Sequence, residues 1–191
     1  VGRDRSRGER ARAELSEKSG NPAVELLLAD LASLSELQRL ADEVVERTQQ
    51  LHVLVNNAGV VNLSRTTTAD GFETTFAVNH LAYFLLTQLL LPLLERSAPA
   101  RIVNVASDAH KFGPLDLDDL QSERRYRSMR VYGASKTANL LFTFELARRL
   151  EGRAVTVNAL HPGAVGTRLG HNNGWLGRVA TGLIKPFVLT P

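Results

Sequence analysis

The sequence predicts an α/β domain organised on a parallel sheet, and three observations carry that expectation. Short apolar runs at 24–29, 53–55, 101–105 and 155–160 have the length and composition of strands buried on both faces. Stretches with helical periodicity lie between them, so strand and helix alternate along the chain. Small and polar residues collect just past each run: Asp30, Asn56-Asn57-Ala58-Gly59, Ser107 and His161-Pro162-Gly163. In parallel α/β sheets ligands bind beyond the carboxyl ends of the strands, so a site is expected along that edge.

The elements follow in order. Val1-Gly2-Arg3-Asp4 reads as the end of a strand or an ordered start. A helical pattern over 9–18 stops at Gly20-Asn21-Pro22. After the 24–29 run, Ser33-Leu34-Ser35-Glu36 has the form of a capping box. Leu34, Leu37, Leu40, Ala41, Val44 and Val45 then mark one helix face as far as 49. In Asn56-Asn57-Ala58-Gly59, Asn and Gly tolerate a left-handed backbone, while Ala and Gly leave room for a flat group to approach. A long helical region is expected over 70–95, kinked or divided at Pro92, which lacks an amide donor and crowds the preceding turn. The 101–105 strand ends at Ala106-Ser107, a polar connection spans 108–130, and a helix runs from Tyr132 to about 150. Past the last strand lie Thr167, a glycine-rich stretch and an expected helix over 176–184. With no repeat or linker visible, 1–191 reads as a single domain.

Composition narrows the function classes. A chain of 191 residues that is 43% hydrophobic and 23% charged is an ordinary globular protein, long enough to bury a core. The absence of cysteine excludes disulfides and thiolate metal sites. Five histidines without His-x-x-x-His spacing give no reason to expect a metal. Arg3, Arg5, Arg7, Arg10 and Arg12 concentrate positive charge, but Glu9, Glu14 and Glu17 interleave and no base-stacking aromatic joins them. A solvated helix face is expected there, not a nucleic-acid partner. The apolar stretch 81–94, broken by Gln88 and Pro92, is too short to span a bilayer and reads as a buried helix. No secretory leader is visible, so a cytoplasmic location is expected, with membrane association of a full-length parent left open.

Tyr132 and Lys136 are one helical turn apart on the same face. A phenol titrates near pH ~10 in water, and a neighbouring ammonium that favours phenolate brings it closer to neutrality. That arrangement suits acid–base chemistry, although such a pair alone is also the signature of a solvated surface contact.

The company of this pair is informative. Asn56-Asn57-Ala58-Gly59, Asn79, Ser107, Tyr132-x-x-x-Lys136 and Pro162-Gly163 stand in the order found in short-chain dehydrogenases/reductases, and the chain resembles that family over nearly its whole length. Asp70-Gly71-Phe72-Glu73, Val78-Asn79-His80-Leu81, Tyr132-Gly133-x-Ser135-Lys136 and Leu160-His161-Pro162-Gly163 are similar to the retinol-dehydrogenase-like branch. Members of that branch act on lipophilic aldehydes, ketones or alcohols. The resemblance implies a doubly wound, Rossmann-type parallel sheet of order 3-2-1-4-5-6. It also implies a domain truncated at both ends, lacking the first strand with its Thr-Gly-x-x-x-Gly-x-Gly turn, and lacking the last strand. The apolar runs then correspond to strands 3 to 6; strands 4, 5 and 6 can pair together, whereas 24–29 lacks its neighbour. Ala82-Tyr83 replaces the Gly-His that relatives often carry and is expected to narrow the site beside Asn79.

By the same resemblance, hydride moves between a nicotinamide and a carbonyl or carbinol carbon. Tyr132 is the implied general acid in reduction and base in oxidation. Ser107 would bond the substrate oxygen, Lys136 would favour phenolate and hold the ribose, and Asn79 would hold a water linking Lys136 to solvent. Asn56, Ala58 and Gly59 would line the adenosine side, with Asp30 and Leu31 at the adenine. Pro162, Gly163 and Val165 would wall the nicotinamide, and Thr167 would bond its carboxamide or the phosphates. Arg3 resembles an arginine that binds the 2′-phosphate of NADP, and Asp4 beside it opposes this; NADP is the implied cofactor and NAD the alternative. His80, His110 and His161 read as structural. Two other readings stay open: a dinucleotide-binding protein without catalysis, and a fragment inactive for want of the pyrophosphate loop. The implied partner is a small lipophilic molecule, and the sequence leaves open whether a full-length parent is a homo-oligomer.

Overall fold

A computed structural model describes residues 1–163. Three of the apolar runs form strands: β1 (Val53–Asn56), β2 (Ala100–Val105) and β3 (Val155–Leu160). They pair in parallel in the order β1-β2-β3, with Asn56 opposite Asn104 and Val105 opposite Leu160. That register brings the carboxyl ends of β1, β2 and β3 to one edge.

Helices α2 (Leu34–Arg47), α4 (Ala82–Arg96) and α5 (Ser128–Arg149) supply the rest of the core. Leu54, Ile102, Val155 and Val157 of the strands pack with Ala41, Leu90, Leu94, Leu146 and Leu150 in one apolar cluster. The alternation of strand side chains decides which residues join it. On β1, Leu54 and Asn56 point into the core, while Val53 and Val55 are exposed.

The 24–29 run does not form a strand. Gly2 N–H donates to the Leu27 carbonyl (2.9 Å) and Ala29 N–H to the Gly2 carbonyl (3.0 Å), a single parallel bridge. An apolar run becomes a strand only where a neighbour extends the ladder, and among the described residues Gly2 alone does so. Helix α1 (Arg5–Ser19) begins ahead of its apolar pattern because Asp4 caps it, accepting from Arg7 N–H at 2.8 Å. It ends at Gly20, whose φ of 67° is left-handed, and it buries none of its residues. The expected capping box at α2 is half formed. Ser33 Oγ accepts from Glu36 N–H, but the Glu36 carboxylate turns to Arg39.

The long helical region is interrupted, though not where proline predicts. It consists of α3 (Thr74–Phe76), a π-helical turn (Ala77–Leu81) and α4, which runs through Pro92. Burial of Leu90, Leu93 and Leu94 on one face holds α4 together across the proline. The full helix, Thr74–Arg96, begins ahead of the apolar stretch and so is long and apolar enough to cross a membrane by length and composition, contrary to expectation. In this fold Tyr83, Thr87, Leu90, Leu93 and Leu94 face the protein interior.

Candidate active site

Ser107, two residues past the end of β2, has extended backbone, and its Oγ caps a 3₁₀ turn (Asp108–Phe112) by accepting from Ala109 N–H at 3.2 Å. This turn lies directly on α5. A Cβ added to Gly133 would fall 2.4 Å from the Ala109 carbonyl, and one added to Gly113 would fall 2.2 Å from the Ala134 nitrogen. Two facing glycines therefore allow the backbones to touch, and Thr137 Oγ1 fastens them by donating to the Gly113 carbonyl at 2.8 Å. The contact brings the Ser107 hydroxyl to the Tyr132 phenol, near enough to favour its ionised form.

Tyr132 and Lys136 are both buried. Lys136 Nζ donates to the Val105 carbonyl at 2.8 Å and lies 5.7 Å from the centroid of the Tyr132 ring and 5.5 Å from that of Tyr83. Burial lowers the Lys136 pKa to about 8. Burial pushes the Tyr132 phenol above its ordinary value, and the nearby Ser107 hydroxyl pulls part of the way back. The expectation that Lys136 draws the phenol toward neutrality is thus reversed in the protein alone. Its ammonium faces the ring, and desolvation of the phenolate outweighs it.

Asn79 sits in the π-turn, fully buried. Its Oδ1 accepts from Val60 N–H (2.8 Å), while Nδ2 donates to the Val60 carbonyl (3.0 Å) and to Ser135 Oγ (3.1 Å). Both amide protons are spent, so the side chain clamps the turn after β1; the main-chain carbonyl of Asn79, which already accepts from Asn139 Nδ2 at 2.8 Å, is what remains for a water. Asn56 needs a similar correction. Its Nδ2 donates to Thr87 Oγ1 (3.0 Å) and Asn104 Oδ1 (2.9 Å), so its side chain faces the core and not the adenosine side.

These contacts are part of one buried polar network. Asn104 Nδ2 donates to Thr143 Oγ1 (2.9 Å), and Thr143 Oγ1 donates to the Asn139 carbonyl (2.7 Å). Ser135 Oγ closes the chain by donating to the Tyr132 carbonyl at 2.6 Å. Asn104, Asn139, Thr143 and the glycine pair escaped the sequence reading. Asn104 between two valines in an apolar run, and a glycine inside a helix, were the available signals. The three histidines do have structural contacts: His80 Nδ1 with Asn139 Oδ1 (3.0 Å), His110 Nδ1 with the Ser107 carbonyl (2.8 Å) and His161 Nε2 with Asp108 Oδ2 (3.4 Å). Burial lowers the His80 pKa, which keeps that ring neutral.

Ala58 and Gly59 follow β1 at the carboxyl edge, half-buried, and none of Asn56-Asn57-Ala58-Gly59 is left-handed. Small size, not backbone freedom, is their contribution. Asp30 Oδ1 accepts from Ala32 N–H at 3.0 Å, the turn-capping role, and Leu31 beside it is half-buried. The Gly2↔Leu28 bridge runs Arg3 and Asp30 out in the same direction, and Arg3 is exposed. Gly163, with a φ of 80°, turns the chain after Pro162, and Val165 and Thr167 lie outside the described residues. No grouping of side chains suited to a metal ion occurs among the described residues.

A profile described as short chain dehydrogenase matches residues 1–174. The chain belongs to the short-chain dehydrogenase family. It is 48% identical over 182 residues to mouse (Mus musculus) retinol dehydrogenase 14, covering 89% of this chain and 54% of that protein. It is 46% identical over 188 residues to human (Homo sapiens) retinol dehydrogenase 12, covering 98% of this chain and 59% of that protein. Among solved structures it resembles an uncharacterised protein from Mycobacterium paratuberculosis, with a TM-score of 0.71 and 40% identity over 84% of this chain and 56% of that one. It also resembles a Burkholderia cenocepacia short chain dehydrogenase in complex with NADP, with a TM-score of 0.66 and 31% identity over 86% of this chain and 63% of that one. The chain is thus a retinol-dehydrogenase-like family member with a Rossmann-type α/β fold, and it spans little more than half the length of these curated relatives.

Proposed function

We propose that this chain carries the catalytic wall of an NADP(H)-dependent oxidoreductase acting on a lipophilic aldehyde, ketone or alcohol, retinoids included. The observation that carries this reading is the buried Tyr132 phenol, with Ser107 near it and the Lys136 ammonium beside its ring. Relatives named as retinol dehydrogenases and a neighbour with NADP bound support the substrate and cofactor classes.

The residues fit a dinucleotide. Lys136 uses one of its three donors on Val105, leaving two for a ribose diol, and Ala58 and Gly59 leave open ground at the strand edge. A bound nicotinamide would supply or accept the hydride. Tyr132 gives its proton to the carbonyl oxygen in reduction, or takes the alcohol's proton in oxidation. Ser107, close to the phenol, donates to the oxygen where charge develops. Lys136 stabilises phenolate through its charge, and Asn79 positions the turn after β1 and offers its carbonyl to a water. The adenine would meet Asp30 and Leu31, and Arg3 would pair with the 2′-phosphate, since guanidinium and phosphate match in bidentate fashion. Asp4 beside Arg3 spends one carboxylate oxygen as the cap of α1. Pro162 and Gly163 would wall the nicotinamide, with Val165 and Thr167 proposed from the family pattern alone. A cytoplasmic location belongs to the same proposal.

Tyr132→Phe tests it. The ring's packing stays and the transferable proton goes, so NADPH-dependent reduction of retinal or a simple lipophilic aldehyde should fall at least ~10²-fold. Cofactor affinity should stay within about twofold, because the variant removes an interaction made in the transition state. Near-normal turnover at neutral pH would overturn the assignment.

A further inference from the structure

Tyr83 departs from the Gly-His that relatives often carry, and the structure gives it two contacts that the mechanism above leaves unused. It comes from α4, is 2% exposed, and its hydroxyl donates to the Ala58 carbonyl at 2.8 Å. Its ring lies 5.5 Å from Lys136 Nζ, inside the range of a cation–π contact. Asn79 and Tyr83 are one helical turn apart, and both grip the turn after β1, at Val60 and Ala58 respectively.

We infer that Tyr83 is a positioning residue for this site: its ring holds the Lys136 ammonium in its charged form, and its hydroxyl fixes the turn that follows β1. As a role in turnover this rests on the oxidoreductase reading; as a coupling between Tyr83, Lys136 and Ala58 it does not.

The groups that face a buried cation decide whether it keeps its charge. Among the described residues the groups against the Lys136 ammonium are the Tyr83 ring from α4, the Tyr132 ring on its own helix and the Val105 carbonyl at the end of β2; no carboxylate pairs with it. An uncompensated buried ammonium tends to lose its proton, so partial negative charge on ring faces and a carbonyl must offset desolvation. The two rings are not equivalent. Tyr132 exchanges its proton in the proposed reaction, so its charge changes. Tyr83 stays neutral, since burial first, and the neighbouring Tyr132 charge second, push its phenol upward. It therefore offers Lys136 the same partner on both sides of the proton transfer, and ties that partner to Ala58.

The chain has four lysines, Lys18, Lys111, Lys136 and Lys185, so ¹³C-lysine NMR resolves each titration, with Lys136→Met assigning the one in the site. Tyr83→Phe should leave the Lys136 midpoint within ~0.2 pH units, while Tyr83→Leu should lower it by about 0.5 units, the size of a modest cation–π contact. Fluorinated phenylalanines at position 83 keep the shape while draining the ring face, so the midpoint should fall further with each fluorine; this series carries the test if Tyr83→Leu does not fold. A midpoint unmoved by fluorination, or rising with it, overturns the ring's role. Amide hydrogen exchange at Gly59 and Val60 should accelerate ~5-fold in Tyr83→Phe, the loss of one ordinary hydrogen bond, and remain there across the fluorinated series. Unchanged exchange overturns the hydroxyl's role. If the lysine titration moves as stated while Tyr132→Phe keeps full activity, the coupling stands and the oxidoreductase reading fails.

Discussion

Helices α1 and α5 are both regular, yet they are held by opposite means. Helix α1 buries no residue and is stabilised by its own caps and by local ion pairs, Glu9–Arg12 and Glu14–Lys18. Exposed pairs of that kind contribute little each. Helix α5 buries Val131, Tyr132, Gly133, Ser135, Lys136, Ala138, Asn139, Thr143 and Leu146, several of them polar, and each polar one has a partner elsewhere in the fold or along the helix. Tyr132 and Lys136, proposed for catalysis, are on the helix whose position is set by many contacts at once, where small displacements are resisted.

The largest expected effect comes from Asn139→Leu. It removes the donor to the Asn79 carbonyl and the partner of His80, leaving buried polar groups unpaired, and should cost about 3 kcal/mol in urea melts. The matching change on α1, Leu15→Ala, removes a side chain that is already 58% exposed and should cost no more than ~0.5 kcal/mol. Equal costs would erase the contrast between the two helices.

Next is the pH dependence of Lys136. Its folded pKa of about 8 is below its unfolded value, so between the two the unfolded chain binds the extra proton and stability rises with pH. Below pH 8 the buried charge is present in full and its cost is constant. The gain from about pH 8 to 10.5 should approach 3 kcal/mol for this group and be missing from the Lys136→Met difference curve. A flat difference between the two proteins would show that Lys136 keeps its ordinary pKa.

A smaller effect is expected at Gly133. Alanine improves helix propensity by up to ~1 kcal/mol, but the new Cβ meets the backbone of Ala109 and Gly113, which cannot swing aside. The clash should win, giving a net loss of roughly 1–2 kcal/mol. The 3₁₀ turn must then retreat, so Ser107 should move away from Tyr132 and turnover should fall by more than the stability loss explains. A stabilised Gly133→Ala with normal turnover would mean that the two backbones are not in contact in solution.

The same contrast explains what could be read from the chain. The strands 53–56, 100–105 and 155–160 were legible because a buried parallel strand writes itself as a short apolar run, and the site motif located Tyr132, Ser107 and Lys136. The 24–29 run reads as a strand from its own residues, which do not encode a distant partner; only the family resemblance signalled that its neighbour is missing, and a single bridge to Gly2 is what it forms. Asn56 could have been placed correctly: it lies two positions from buried Leu54, on the same face of the strand. The π-turn at Asn79 had no local signature, whereas Pro92 carried a strong one and yielded to packing. The direction of the Tyr132 shift was missed because burial, which opposes the ammonium, is a tertiary property.

The π-turn has a consequence of phase. A regular helix advances about 100° per residue, and a π-turn accommodates roughly one residue more than an α-turn of the same height. The faces that Phe76 and Leu90 present to the interior therefore keep their alignment only if the supernumerary residue is discounted. Deleting one residue within 77–81 should let the segment anneal into a continuous α-helix with both flanks still facing inward. The casualty would be the grip on Val60, since the Asn79 side chain is carried out of register. In this helix an indel, normally ruinous to packing, would separate the scaffold from the site it serves.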